Sequence, residues 1–111
     1  MYASGIKEVD ATQLAQWVND DSHQLRVIDV RQMQEIATGT VPKAEALPLH
    51  MLPEQIHALS PAEKIVMVCR SGARSAQAGK YLQQQGFLNV YNLRGGMIGW
   101  TQSGFSAVQL T

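Results

Sequence analysis

Ile65-Val66-Met67-Val68-Cys69-Arg70-Ser71-Gly72-Ala73-Arg74-Ser75 is the stretch on which the fold is decided. Its first four residues are apolar without alternation, and three of them are β-branched. A strand apolar on both sides belongs at the centre of a sheet covered on both faces. The strand runs directly into Cys69, after which two arginines, two serines and a glycine replace the apolar run. A helix follows: residues 75–85 place Ala78, Gly79 and Leu82 on one face, and Gly86 stands where a helix ends. Small residues on that face predict a helix lying close against the sheet.

Outward from this stretch, strands and helices alternate. Asp10 and Gln13 fit a capping box, and Leu14, Trp17 and Val18 share one face, which predicts an amphipathic helix over Ala11–Asn19. Residues 25–30 (LRVIDV) are short and rich in β-branched side chains, as suits a buried parallel strand. Residues 31–38 read as a weak helix stopped by Gly39, and residues 44–47 as a short strand. Pro48 and Pro53 bracket the start of a helix carrying Ile56 and Leu59, and Ser60-Pro61 breaks the chain before the central strand. Val90–Leu93 is a last strand, Gly95-Gly96 a turn, and residues 97–103 a short closing helix.

Parallel strands need crossover connections, and helices of this length supply them. The expected class is therefore α/β, a small parallel β-sheet flanked by helices on both faces. In such sheets ligands bind beyond the carboxyl ends of the strands. Two loops fall there, Asp29-Val30-Arg31 and Cys69 to Ser75.

The second loop carries the chemistry. With Gly72 inside it, the turn can curl until successive backbone N–H groups converge on one point and form an anion-binding nest. The helix amino end adds positive potential. A Cys69 sulfur at that focus is favoured as thiolate, and Arg70 and Arg74 favour it further. An unperturbed thiol, with pKa about 8.5, is only a few per cent ionised at neutral pH, whereas a shift of roughly 1.5 units makes it about half ionised. Taken blindly, a lone cysteine ending an apolar strand is an inert core residue. Two arginines and a glycine within five residues reverse that, because they pack a core poorly and hold an anion well.

The chain has 111 residues, 45% of them hydrophobic, enough for one core and too few for two ordinary domains, so residues 1–111 are expected to form one domain. Nine basic and nine acidic side chains sum to zero net charge, which leaves no large field to recruit nucleic acid or an anionic membrane. The single cysteine forms no internal disulfide, and the amino end (MYASGIKEVDATQL) has neither the basic start nor the apolar run of a secretory signal. Both point to the cytoplasm. No apolar stretch approaches the roughly 20 residues that cross a bilayer.

The loop CRSGARS after IVMV resembles the active-site loop of rhodanese domains. IDVRQMQEIATGTVPKA resembles the family's amino-terminal signature, and NVYNLRGGMIGW its carboxyl-terminal one. Together they cover nearly all of residues 25–100. Around the proline the family pattern has His and Gly, and an Asn shortly after, where this chain has Thr40, Lys43 and Ala46. These departures bear on local loop geometry.

The resemblance implies a thiosulfate sulfurtransferase. Cys69 attacks the outer sulfur of a donor such as thiosulfate, holds it as a persulfide, and passes it to cyanide, an external thiol or a sulfur-carrier acceptor. Backbone N–H groups of Arg70, Ser71, Gly72, Ala73, Arg74 and Ser75 hold the anion, and the Arg70 and Arg74 side chains grip the donor's charge. No cofactor is implied. Two rival readings stand beside it: a phosphatase or arsenate reductase, and a module for sulfur relay or protein binding. Phosphate chemistry typically places five residues between Cys and Arg, and here there are four.

Other residues have blander readings. Asp29 and Arg31 are expected to pair structurally, Met97, Ile98 and Trp100 are candidates for the wall of the pocket although a Trp in a short closing helix is expected in the core, and Gly95-Gly96 is expected to serve an unusual turn rather than phosphate binding. His23, His50 and His57 lack metal-ligand spacing and read as surface residues.

Overall fold

The computed structural model describes residues 6–110. In chain order the elements are β1 (Lys7–Val9), α1 (Ala11–Asn19), β2 (Arg26–Asp29), α2 (Met33–Ile36), β3 (Ala44–Ala46), α3 (Leu52–Gln55), β4 (Ile65–Val68), α4 (Ala73–Gln84), β5 (Val90–Leu93) and α5 (Gly96–Gln102). Short 3-10 turns, Leu49–Met51 and Ile56–Ala58, flank α3. The single helix expected after Pro48 is thus three short turns, since Pro53 lacks the N–H that a continuous helix would use.

All strands are parallel, in the order β1-β5-β4-β2-β3. As its all-apolar run requires, β4 is central, with Ile65, Val66, Met67 and Val68 each fully buried. Strand β1 lies outside the expected set. Lys7 and Glu8 are exposed on this edge, so its three residues show no apolar run to read.

Alternate residues of β4 serve two cores. Val66 and Val68 pack with Leu14, Val18, Leu93 and Trp100 beneath α1 and α5. Ile65, Met67 and Cys69 pack with Leu52, Ala78 and Leu82 beneath α3 and α4. A Cβ on Gly79 would fall 1.9 Å from Ile6 Cδ1, so a larger residue there would displace the Ile6 side chain packed against α4. Asp10 caps α1, accepting the Gln13 N–H at 2.8 Å, which is one half of the expected capping box.

After β2 the chain steps outward to β3, then returns across β2 to β4. The direction of winding therefore reverses between β2 and β4. A crevice forms beyond their carboxyl ends, where the loops after Asp29 and Val68 meet. Among the described residues, no helix is long and apolar enough to cross a membrane.

Candidate active site

Strand pleat decides where the sulfur points. Ile65 and Met67 face α4, so Cys69, two residues on, is aimed at the amino end of that helix. The chain turns through Arg70 and Ser71 to Gly72, whose φ of +106° is a left-handed conformation suited to glycine. That turn directs the Gly72 N–H at Cys69 Sγ, 3.1 Å away. Because Gly72 closes the turn early, α4 begins at Ala73 and not at the expected residue 75. Ser75 then lies in the first helical turn with its hydroxyl 3.3 Å from Sγ.

Cys69 is only 1% exposed and belongs to the apolar cluster under α4, yet its sulfur meets polar donors. Burial pushes the thiol pKa up. The Ser75 hydroxyl and the backbone amides of Ser75, Gly72 and Ser71 outweigh that push, and the pKa is lowered. The single Ser75 hydroxyl hydrogen lies between two acceptors, because Asn92 Oδ1 also takes a hydrogen bond from Ser75 Oγ. Asn92, buried on β5, donates from Nδ2 to the Gly72 carbonyl at 3.2 Å and so ties the loop to the sheet. Asn92 is not among the expected site residues, and its burial on β5 is visible only in the fold.

The loop is gripped from its other side by α5. The N–H groups of Met97 and Ile98 donate to the carbonyls of Cys69 and Arg70 at 2.8 and 3.0 Å. Gly95 and Gly96, with φ of +79° and +56°, make the unusual turn expected of them. Trp100 is core as expected, whereas Met97 and Ile98 join Arg31, Glu35 and Arg70 around a cavity of about 450 Å³ beside the loop.

The two loop arginines differ. Arg74 donates from Nη1 and Nη2 to the two carboxylate oxygens of Glu35, at 2.6 and 2.8 Å. Beside that guanidinium the Glu35 carboxyl is held down at about 2, and the carboxylate in turn raises the Arg74 pKa. Arg74, offered by the sequence for the donor's charge, is thus already engaged. Arg70 is exposed and makes no ion pair among the described residues. Glu35, part of the amino-terminal signature but not among the expected site residues, reaches Arg74 from α2, where it accepts the Gln32 N–H at 3.1 Å.

Behind the site, Asp29 and Arg31 form the expected structural pair, both buried, with Arg31 Nη2 2.7 Å from Asp29 Oδ2. Thr40, at the family's His position, donates its hydroxyl to the same oxygen at 2.7 Å. Lys43, at the family's Gly position, adopts the left-handed backbone with φ +70°, and its ammonium bonds the Val18 carbonyl of α1 at 2.9 Å. A larger cavity, about 820 Å³, lies at the opposite end of the sheet, where Lys64 bonds His23 at 3.0 Å and Arg26 pairs with Glu63. It does not include the thiol.

Comparison with known proteins agrees with this geometry. The Rhodanese-like domain model matches residues 10–103. A sulfurtransferase of Allochromatium vinosum is 42% identical over 93% of this chain and 95% of the relative. The thiosulfate sulfurtransferase GlpE of Stutzerimonas stutzeri is 34% identical over 67% of this chain and 68% of the relative. A rhodanese-like domain protein from Staphylococcus aureus superposes with a TM-score of 0.83 at 27% identity, covering 96% of this chain and 100% of that one. A Rhodopseudomonas palustris protein of unknown function, described as a possible tyrosine phosphatase, gives a TM-score of 0.83 at 25% identity over 95% of this chain and 86% of that one. With its parallel sheet, its thiol in a loop at the switch point and a family match over most of its length, this chain belongs to the rhodanese-like domain family.

Proposed function

We propose that this chain is a sulfurtransferase that carries sulfane sulfur on Cys69, taking it from thiosulfate or a related donor and passing it to cyanide or a thiol. The observation that supports this most is the placement of Cys69 Sγ against the Gly72 amide and the Ser75 hydroxyl, at 3.1 and 3.3 Å, at the start of α4. In the first step the Cys69 thiolate attacks the outer sulfur of thiosulfate. The S–S bond of the donor breaks, its electron pair leaves on sulfite, and Cys69 keeps a persulfide anion. In the second step the acceptor attacks the outer sulfur and the Cys69 thiolate returns. Two displacements replace one difficult transfer, and the amides hold the anionic sulfur in both. Cys69 is the only cysteine in the chain, so no internal disulfide competes with transfer outward.

A phosphatase reading is less well supported. The Cys69–Arg74 ring is one residue short of the usual phosphate loop, and Arg74 is bound to Glu35. Exposure to thiosulfate followed by intact-mass measurement tests the proposal. One added sulfur is expected, lost on cyanide treatment and absent in Cys69→Ser. No mass gain from either thiosulfate or an alkyl persulfide, or aryl phosphate turnover exceeding thiosulfate turnover, would overturn it.

A further inference from the structure

The mouth of the loop is not uniformly positive. Glu35 and Arg74 meet through two parallel hydrogen bonds and cancel one another's charge. What remains uncompensated is the exposed guanidinium of Arg70, which shares the adjoining cavity with Glu35. The carboxylate is fixed in place twice over, by Arg74 and by the Gln32 N–H at 3.1 Å. An incoming thiosulfate brings two negative charges to a rim where, among the described residues, Arg70 supplies one unpaired positive charge and Glu35 neutralises a second, that of Arg74. An alkyl persulfide whose own ammonium cancels its charge has no need of that second cation.

We propose that Glu35 is a specificity-determining residue, biasing the mouth towards sulfur donors of low net negative charge, alkyl persulfides, and against dianionic thiosulfate. The proposal rests on the persulfide reading of Cys69. With either donor the step balances in the same way: Cys69 Sγ bonds the outer sulfur, the donor's S–S bond breaks, and the electron pair leaves on sulfite or on the alkyl thiolate. Glu35 does not touch the reacting atoms and acts through Arg74 and through the field at the rim. The low pKa of its carboxyl keeps it charged at any working pH.

The test compares kcat/KM for thiosulfate with that for 2-aminoethyl persulfide, using cyanide as the common acceptor and the full chain. Glu35→Gln keeps an acceptor for Arg74 and Gln32 while removing the charge. It is expected to raise the thiosulfate-to-persulfide ratio about tenfold at low ionic strength, with the gain shrinking as salt is added. Arg70→Gln is expected to lower the ratio by a similar factor, which gives a second reading should the first variant fold poorly. A ratio unmoved by both substitutions, or both donors slowed in proportion by Glu35→Gln, would show a structural role only and overturn the proposal. Failure of the parent reading looks different, since wild-type protein would then gain no sulfur mass from either donor.

Discussion

Gly96 approaches the Cys69 loop so closely that a Cβ built on it would lie 2.5 Å from the carbonyl oxygens of both Cys69 and Arg70. The same approach lets the next two amides, of Met97 and Ile98, bond those carbonyls. Gly96→Ala is therefore expected to push the loop away from α5. Left-handed strain of about 1–2 kcal/mol and overpacking of about 1–3 kcal/mol should appear together in urea unfolding, and persulfide formation should fall sharply. Gly86→Ala is the control. Its φ is +95° but nothing lies within 4 Å of the added carbon, so only the backbone strain is expected.

The thiol's titration gives a second prediction. Its folded pKa is lowered, against the push of burial, by the Ser75 hydroxyl and the loop amides. The pH dependence of iodoacetamide alkylation should accordingly show a midpoint below the ordinary thiol value of about 8.5. Ser75→Ala should move that midpoint upward. A depressed acid stabilises the fold fully above its unfolded pKa, and this contribution disappears as pH falls through the folded value. Wild-type stability should therefore gain on Cys69→Ser as pH rises through the alkylation midpoint. An alkylation midpoint unchanged by Ser75→Ala would show that the amides alone hold the thiolate.

What was legible in the sequence follows from how local each signal is. The run Ile65–Val68 and the glycine-containing turn after Cys69 declare a central strand and a tight turn within eleven residues, and Asp10 caps α1 three residues from its partner. Glu35 and Arg74 lie 39 residues apart, and only the β2–β4 crossover brings them together, so no local pattern could pair them. Asn92 was hidden differently. Its neighbours in Val90–Leu93 read simply as strand, and its partners Ser75 and Gly72 belong to another element. Edge strand β1 escaped because a strand with one open side needs no apolar run.

Lys43 offers a test of backbone strain against a side-chain contact. Its φ of +70° is uncomfortable for any residue with a Cβ, and its ammonium caps the carboxyl end of α1 through the Val18 carbonyl. Lys43→Ala loses the cap and keeps the strain. Lys43→Gly loses the cap and relieves the strain, so it should be more stable than the alanine variant by about 1 kcal/mol. Chemical denaturation of the two variants side by side reads this difference, and equal midpoints would mean that the turn relaxes to another conformation.

The buried carboxylate behind the site allows the sharpest comparison of stabilities. Asp29 is fully buried and is satisfied by the Arg31 guanidinium, the Arg31 N–H and the Thr40 hydroxyl. Arg31 also reaches the Gly39 carbonyl at 2.7 Å and thereby closes the segment that carries α2. Removing one partner of a buried ion pair strands the other charge, so Arg31→Ala is expected to cost about 3–5 kcal/mol. Thr40→Val keeps the shape and removes one donor to a charged group, for about 1.5–3 kcal/mol. Both should shift the urea midpoint with little change in slope, since neither enlarges the surface exposed on unfolding. If Thr40→Val proved as costly as Arg31→Ala, the hydroxyl and not the guanidinium would be the main support of Asp29.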